Sequence, residues 1–461
     1  MRNVSLVVLS AFLLIAAPIA VIAQTAPSPA RFVMPAQLSL SDAVKIALRF
    51  QPQQASSQTA VTEAKAGVTQ AFAGYLPTVT PTYQYQNTQI TNYGAGNIYY
   101  DGVTLSTSET SIVRGGTGSV SLGENLIDSG QREVKNALAR RQVQSATATV
   151  RNARQQIIYN VTEAYYEVLR AQDLKKVADF EVVRAQQVLD QTQAQIDAGL
   201  APKINLSQSR SDLANAQVTQ LQDQVAIDVD IATLKNAMGI ETESPIHIEA
   251  LAPNDQLPAA PQSATDLGTD AYLNVALANR PDYVAQQVAV QSADLAVKQA
   301  KIAAGLSLTS SAAVVATPHN DIGSQSREYQ LSATATYPLF DGGASRSAVR
   351  SAQAQRDAAV DQLDIVRQQV RLDVEQASVQ RAESARAVSL AQLAVDAAQA
   401  NYDSVADSHK EGIASTVDVT TAEVSLTQAQ NQYVTAIYDY YEADARLGKA
   451  LGTNDKDYAA Q

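Results

Sequence analysis

Residues 130–198 hold no Pro and, after Gly130, no Gly until Gly199. Nothing in that stretch interrupts a helix, and at about 1.5 Å per residue a helix of this length reaches roughly 100 Å. The stretch recurs downstream as 343–411. From Ile157 the positions Ile157, Val161, Ala164, Val168, Ala171, Lys175, Ala178, Val182, Ala185, Leu189, Thr192 and Ile196 step by four and three. All but Lys175 and Thr192 are apolar, the pattern of a coiled-coil seam. At the corresponding positions from Val370 to His409, nine of twelve are apolar; Arg381, Ser384 and His409 are not. Ile158, Tyr165, Tyr166, Leu169, Leu174, Val177, Phe180 and Val183 lie off the seam. A helix in a two-stranded coil needs one apolar seam, and a helix set in a ring of helices needs two. The extra apolar residues therefore predict the ring.

The recurrence belongs to a duplication of the whole plan. Asp128-Ser129-Gly130 matches Asp341-Gly342-Gly343 at an offset of 213, and the same ungapped offset pairs Gly199 with Gly412 and Gly239 with Gly452. The front of each copy matches at an offset of 229, pairing Ala47-Leu48 with Ala276-Leu277 and Pro52 with Pro281. The difference falls in 91–116, which is Gly/Ser/Thr-rich and reads as a long loop. Each copy reads helix, strand, loop, strand, long helix, turn, helix. The predicted divisions are a first repeat at 24–250, a Pro-containing linker at 251–262, a second repeat at 263–452 and a tail at 453–461. Helices at about 52–75 and 203–238, and again at 281–304 and 415–450, stack end to end to nearly the length of the long ones. Each chain thus supplies four rods. Pro52 and Pro281 suit a first helical turn. Gly199 and Gly412 suit a left-handed helix terminus followed by a reversal.

Four segments alternate with period two, at about 76–90, 115–127, 306–316 and 329–340. Val79, Tyr83 and Tyr85 share a face, as do Val120, Leu122 and Leu126, and Leu306, Leu308, Ala312 and Val314. Each alternating stretch is about the length that a tilted strand needs to cross a bilayer. Tyr83, Tyr85, Tyr329 and Tyr337 suit the lipid–water boundary. The same pattern also fits a half-buried sheet in a soluble domain. Four strands cannot close, and an open edge in hydrocarbon leaves backbone groups unpaired at several kcal/mol each. Strands that span a membrane must then be pooled, eight from two chains or twelve from three.

The chain opens with Arg2, an apolar core at Val4–Ala17 and a small-residue site at Val21-Ile22-Ala23, the form of a secretory leader covering 1–23; the alternative is an N-terminal membrane anchor, against which the break at Pro18 and the Pro-rich spacer that follows argue. Past it there is no apolar run of the length a membrane helix needs. The formal charge is −12, and losing Arg2 with the leader makes it one unit more negative. That sign argues against a nucleic-acid partner. The chain has no Cys, so disulfides and lipidation at Cys are ruled out. His247, His319 and His409 are far apart in sequence and give no metal-ligand spacing. No catalytic clustering is apparent, and no cofactor is called for. A secreted coiled-coil structural or adaptor protein with a small β-domain is the competing reading.

The chain resembles the TolC-type outer-membrane efflux family over essentially its whole mature length. The resemblance rests on the duplicated plan, the junctions "NLIDSGQR" and "PLFDGGASR", and the turns "DAGLAPKINLSQSRSDLANAQ" and "KEGIASTVDVTTAEVSLTQAQNQY". It implies a mostly α fold with transmembrane β structure. Three chains, four strands each, would form a twelve-stranded barrel in the outer membrane of a Gram-negative bacterium. A long coiled-coil α-helical barrel would continue it as a tunnel through the periplasm. The implied partners are two further copies, outer-membrane lipid, a periplasmic adaptor protein and an inner-membrane transporter. The helix turns would form the periplasmic mouth. Asp418 matches an aspartate that lines the constriction as a ring, where neighbouring carboxylates raise each other's pKa and attract cations. Thr421 stands where the family has a second aspartate, Asn205 where it has another acid, and Ala414 where it has an arginine. These departures leave the closing contacts of the family without a counterpart. Gly199, Leu200, Gly412 and Ile413 match the tip turns that meet the adaptor. The bland reading of Asp418 is an N-terminal helix acid favoured by the dipole. That of Gly199 and Gly412 is plain C-caps, and that of His409 is a partly exposed polar residue near the tip.

Overall fold

The computed structural model describes residues 37–199, 202–241, 246–249, 268–318, 325–411 and 413–458. The leader and the linker lie outside the described residues. The first copy runs α1 (Leu40–Phe50), α2 (Pro52–Ala73), β1 (Thr78–Tyr100), β2 (Val103–Ile127), α3 (Gln131–Asp197) and α4 (Ile204–Met238). The second runs α5 (Thr269–Asn279), α6 (Pro281–Ile302), β3 (Ser307–Pro318), β4 (Gln325–Thr336), α7 (Ala344–Lys410) and α8 (Thr416–Ala450). The short helices α1 and α5 were not foreseen. Each stops where a Pro follows, because a residue before Pro is pushed out of the helical region. Gln51 and Arg280 accordingly sit at φ −65, ψ 119 and φ −66, ψ 120.

The strand-to-helix junctions repeat in detail. The Asp128 carboxylate accepts the N–H groups of Gly130 (3.1 Å) and Arg132 (3.0 Å). The Asp341 carboxylate accepts those of Gly343 (3.0 Å) and Ser345 (2.8 Å). Gly130 and Gly343 hold φ +89 and +90, a backbone region that favours glycine. These acids cap long helices at the point where they leave the sheet.

The four strands form one antiparallel sheet in the order β1-β2-β3-β4. Its register aligns the apolar positions in rows: Val79 faces Leu122, Leu122 faces Ala312, and Ala312 faces Leu331. A second row runs Val120, Val314, Tyr329. Residues directly opposite share a face, so one face is apolar across all four strands. On the other face Thr82 lies opposite Ser119, and Ser311 opposite Ser332. The apolar face is uncovered: Leu331 is 85% exposed and Val79 65%. Among the described residues, β1 and β4 have no strand on their outer edges.

Two strand expectations need correction. The segment 91–116 is not a loop; β1 and β2 stay paired to Tyr100↔Val103 and close through Asp101-Gly102. Both turn residues have positive φ, +50 and +77, the backbone of a two-residue primed hairpin turn. The resulting two-stranded ribbon extends past the β3–β4 end. β4 in turn ends at Thr336, so Tyr337 and Leu339 lie beyond it. Pro338, which has no N–H to donate, follows directly.

The rods form an open arc. α3 packs against α2 and α4 on one side and against α6 and α8 on the other; α7 packs against α6 and α8. Seven residues of α7 are buried, Val370, Val374, Ala377, Arg381, Ser384, Val388 and His409, and all occupy positions of the predicted seam. α3 buries both its seam and off-seam residues such as Ile158, Tyr165, Leu169 and Val177. Around α1 a compact core joins α1, α3 and α4 through Val44, Ile46, Val161, Val168 and Leu234. Each fully buried aliphatic side chain there contributes roughly 1.5–3 kcal/mol. The Tyr165 hydroxyl donates to the carbonyls of Leu38 (3.1 Å) and Glu249 (3.2 Å), beside the Leu38–Ile248 bridge. Past α8, Gln155 donates to the Gly452 carbonyl at 2.9 Å and Arg151 pairs with Asp455 at 3.5 Å, tying the chain end to α3.

Candidate functional site: the helix tips

The two long hairpins, α3–α4 and α7–α8, end in turns at the pole opposite the sheet. Asp197 closes α3, and the backbone reverses at Gly199 with φ +77. The second turn leads to Ser415, the N-cap of α8. A helix start leaves N–H groups unpaired, and a Ser followed three residues later by an acid satisfies them reciprocally. The Asp418 N–H donates to Ser415 Oγ at 3.3 Å. The Ser415 N–H and hydroxyl donate to Asp418 Oδ2 at 2.9 and 2.7 Å. The Ser415 hydroxyl and N–H hold the Asp418 carboxyl below its ordinary range. Asp418 is exposed and ionised at neutral pH, and its capping role coexists with a charge presented to solvent.

Thr421 is exposed one turn on, with its hydroxyl donating to the Val417 carbonyl at 2.8 Å. Asn205 is half-buried in the first turn of α4. Among the described residues no hydrogen bond or ion pair links Asn205 to Asp418 or Thr421. Ile413 is 77% exposed, with Val417 at 68% and Ile204 at 72%, so both turns present apolar side chains to solvent. Leu200 and Gly412 lie outside the described residues. His409 is not partly exposed as the sequence suggested; it is 3% exposed, with a ring nitrogen 3.5 Å from Thr416 Oγ1. Its position on the α7 seam turns it inward, and burial lowers its pKa.

The residues that the sequence reading missed sit between the hairpins. Arg184 of α3 reaches Glu423 of α8 at 3.5 Å and donates to Thr427 Oγ1 at 2.9 Å. Its guanidinium also lies 6.0 Å from the centre of the Tyr402 ring on α7. One cation thus joins three rods. Burial pushes Glu423 up to about 7; Arg184 opposes that shift, and the nearby acids Glu181 and Asp212 add to it. Farther from the tips the Tyr438 hydroxyl donates to the buried Asp173 carboxylate, which also pairs with Lys176 at 2.8 Å. No local motif marks these pairs, because their members lie far apart in sequence.

The outer membrane efflux protein family model matches residues 43–240 and 272–453. The outer membrane efflux protein BepC of Brucella suis is 24% identical over 345 residues, covering 72% of each chain. The solved outer-membrane channel OprN superposes with a TM-score of 0.73 at 19% identity, over 90% of both chains. The outer membrane protein VceC of Vibrio cholerae gives 0.71 at 18% identity, over 90% of this chain and 96% of that one. With both repeats matched by the family model and the fold shared over nine-tenths of the chain, the protein belongs to the outer membrane efflux protein family.

Proposed function

We propose that this chain is one third of an export channel that crosses the outer membrane and continues as a helical tunnel. The observation that carries the reading is an arc with two unsatisfied ends. On α7 the residues Ile365, Leu372, Val379, Leu390 and Leu393 point away from the chain, 47–68% exposed. On α4, at the other end of the arc, Val218, Leu221, Val225 and Val229 are 54–66% exposed. The α7 set steps by seven, seven, eleven and three and the α4 set by three, four and four, spacings that keep each set on one helix face, so each is a coiled-coil seam without a partner. The sheet ends likewise in two open edges. Joining the α4 end of one copy to the α7 end of the next, and β1 to the neighbour's β4, satisfies all four at once. The family resemblance implies three copies and twelve strands. The apolar sheet face then meets acyl chains.

Substrates would pass through this duct without chemical change. Access would be controlled at the tips, where three copies bring three Asp418 carboxylates around one axis with Thr421 and Asn205 nearby. Gly199, Leu200, Gly412 and Ile413 would meet a periplasmic adaptor that connects the duct to an inner-membrane transporter. The exposed Ile204, Ile413 and Val417 are suited to that contact. The test is fractionation followed by conductance. Heat-sensitive trimers in the outer-membrane fraction, forming cation-selective pores in planar bilayers, are expected. Asp418→Ala should raise conductance or blunt block by multivalent cations. A monomer recovered in buffer without detergent would overturn the channel reading in favour of a coiled-coil adaptor.

A further inference from the structure

The Arg184 node lies between two unlike sections of the contact between the hairpins. Farther from the tips, α3 and α8 are tied repeatedly: Asp173 to Tyr438, Arg170 to Asp439 at 3.7 Å and to Glu442 at 3.9 Å, and Tyr166 stacked on Tyr441 at 5.2 Å. On the tip side, among the described residues, the polar link between the hairpins is Thr420 to Asp212, at 3.5 Å. From Arg184 to the Gly199 turn the rods continue for roughly 22 Å. A cavity of about 280 Å³ opens along this section between α3 and α7, lined by Gln187, Gln191, Tyr402, His409 and Val419 among others. The tip sections thus lie below a cation that touches three rods, and they have space beside them.

We propose that Arg184 and Glu423 position the gate: the node they form with Thr427 and Tyr402 is the pivot on which the α7–α8 tip turns away from the α3–α4 tip. This rests on the channel reading above and deepens it. The node also gives the turn a pH dependence with a definite sign. The charged and titratable groups facing Glu423 are Arg184 and Glu181 from α3, Asp212 from α4 and Tyr402 from α7. Glu423 and Glu181 therefore share one guanidinium, and Asp212 adds a third negative charge beside Glu423. With the tips together Glu423 is desolvated and holds its proton up to about 7; in water a Glu releases it near 4.5. The closed arrangement binds the extra proton between those values, so acid favours closing. Above neutral pH the buried, ionised Glu423 opposes closure, and turning the tip outward rehydrates it. If opening restores full hydration, the open-to-closed ratio is about tenfold lower at pH 6 than at pH 8.

Single-channel open probability of the full-length protein at pH 6, 7 and 8 tests this. The wild type should show the tenfold change. Glu423→Gln, which keeps the shape and removes the charge, should stay mostly closed and respond to pH by less than twofold. Arg184→Met should raise opening at pH 8, because Glu423 loses its cation, and Arg184→Met with Glu423→Leu should reverse the rise. Asp418→Asn serves as the control for the constriction: it should change cation block and leave the response between pH 6 and 8 in place. A flat wild-type profile, or an unchanged profile in Glu423→Gln, would overturn the pivot. A second measurement needs no pore. The chain has no Cys, so spin labels on Ala198→Cys and Ala414→Cys report tip separation in detergent. The separation should widen from pH 6 to pH 8 in the otherwise unaltered chain and stay constant with Glu423→Gln. Failure to form pores while the labels respond as described would count against the channel reading and not against the pivot.

Discussion

The two long helices α3 and α7 are copies of one another, each 67 residues long, yet α3 buries nineteen residues and α7 seven. The short tip helices reverse the order between copies: α4 buries six of its 35 residues and α8 seventeen. Burial therefore follows place in the arc and not repeat of origin. α3 and α8 are inner members with rods on both sides. α4 and α7 are end members, and each carries an apolar seam that its own chain leaves open. A duplicated sequence has in this way produced one pair of rods specialised for folding and one pair for assembly.

The sharpest way to break this contrast is to put the same charge into each kind of rod. Val168 of α3 is fully buried, and Val379 of α7 is 61% exposed. Val168→Asp buries an unpaired carboxylate at a cost of several kcal/mol, and we expect no folded protein in the outer-membrane fraction. Val379→Asp should leave the helical circular dichroism of the chain intact and abolish the heat-sensitive trimer. If Val379→Asp assembles normally, α7 is not an assembly rod. A smaller loss is expected from Tyr438→Phe. It removes the hydroxyl that satisfies the buried Asp173, at about 1–3 kcal/mol, measurable as a lower denaturation midpoint of the intact assembly. Arg381→Met on α7 is the counterpart, because Arg381 pairs at 2.6 Å with an Asp444 that is 55% exposed and can return to water. Its cost should stay within about 1 kcal/mol.

The same contrast explains what was legible in the sequence. Heptad spacing is a local property of one chain, so it located every buried position of α7 and the inner face of α3. It also registered the polar exceptions Arg381, Ser384 and His409 as seam positions, although it did not show that they are buried. Strand alternation located the apolar sheet face, because side-chain direction reverses at each residue. The ribbon at 91–116 was missed because its stability comes from backbone pairing, while its Gly, Ser and Thr content suggests a loop. Asp101-Gly102 between Tyr99-Tyr100 and Val103 was the available hairpin signal. Arg184 with Glu423 and Asp173 with Tyr438 were beyond reach, since nothing local pairs residues that meet only after the arc has formed. For Asp418 the sequence supplied a helix-start acid, and the structure supplied its Ser415 partner.

The smallest expected effect separates the two faces of α8. Toward α3 it carries Glu442, pushed up to about 7 by burial and by Glu167, with Arg170 opposing. A Glu in the unfolded chain ionises near 4.5, so the folded protein holds the extra proton between the two values. Stability from this group is complete below about 4.5, is lost as pH rises through 7 and is level above it. Glu423 acts in the same direction, so the wild type should melt lower at pH 8 than at pH 5. Glu442→Gln should remove part of that difference, and Glu442→Gln with Glu423→Gln should remove more. Asp444→Asn, on the side of α8 that faces α7, should leave the slope unchanged. An equal flattening by Asp444→Asn would mean that α8 meets α3 and α7 through equivalent surfaces, and the division between inner and end rods would fail at its centre.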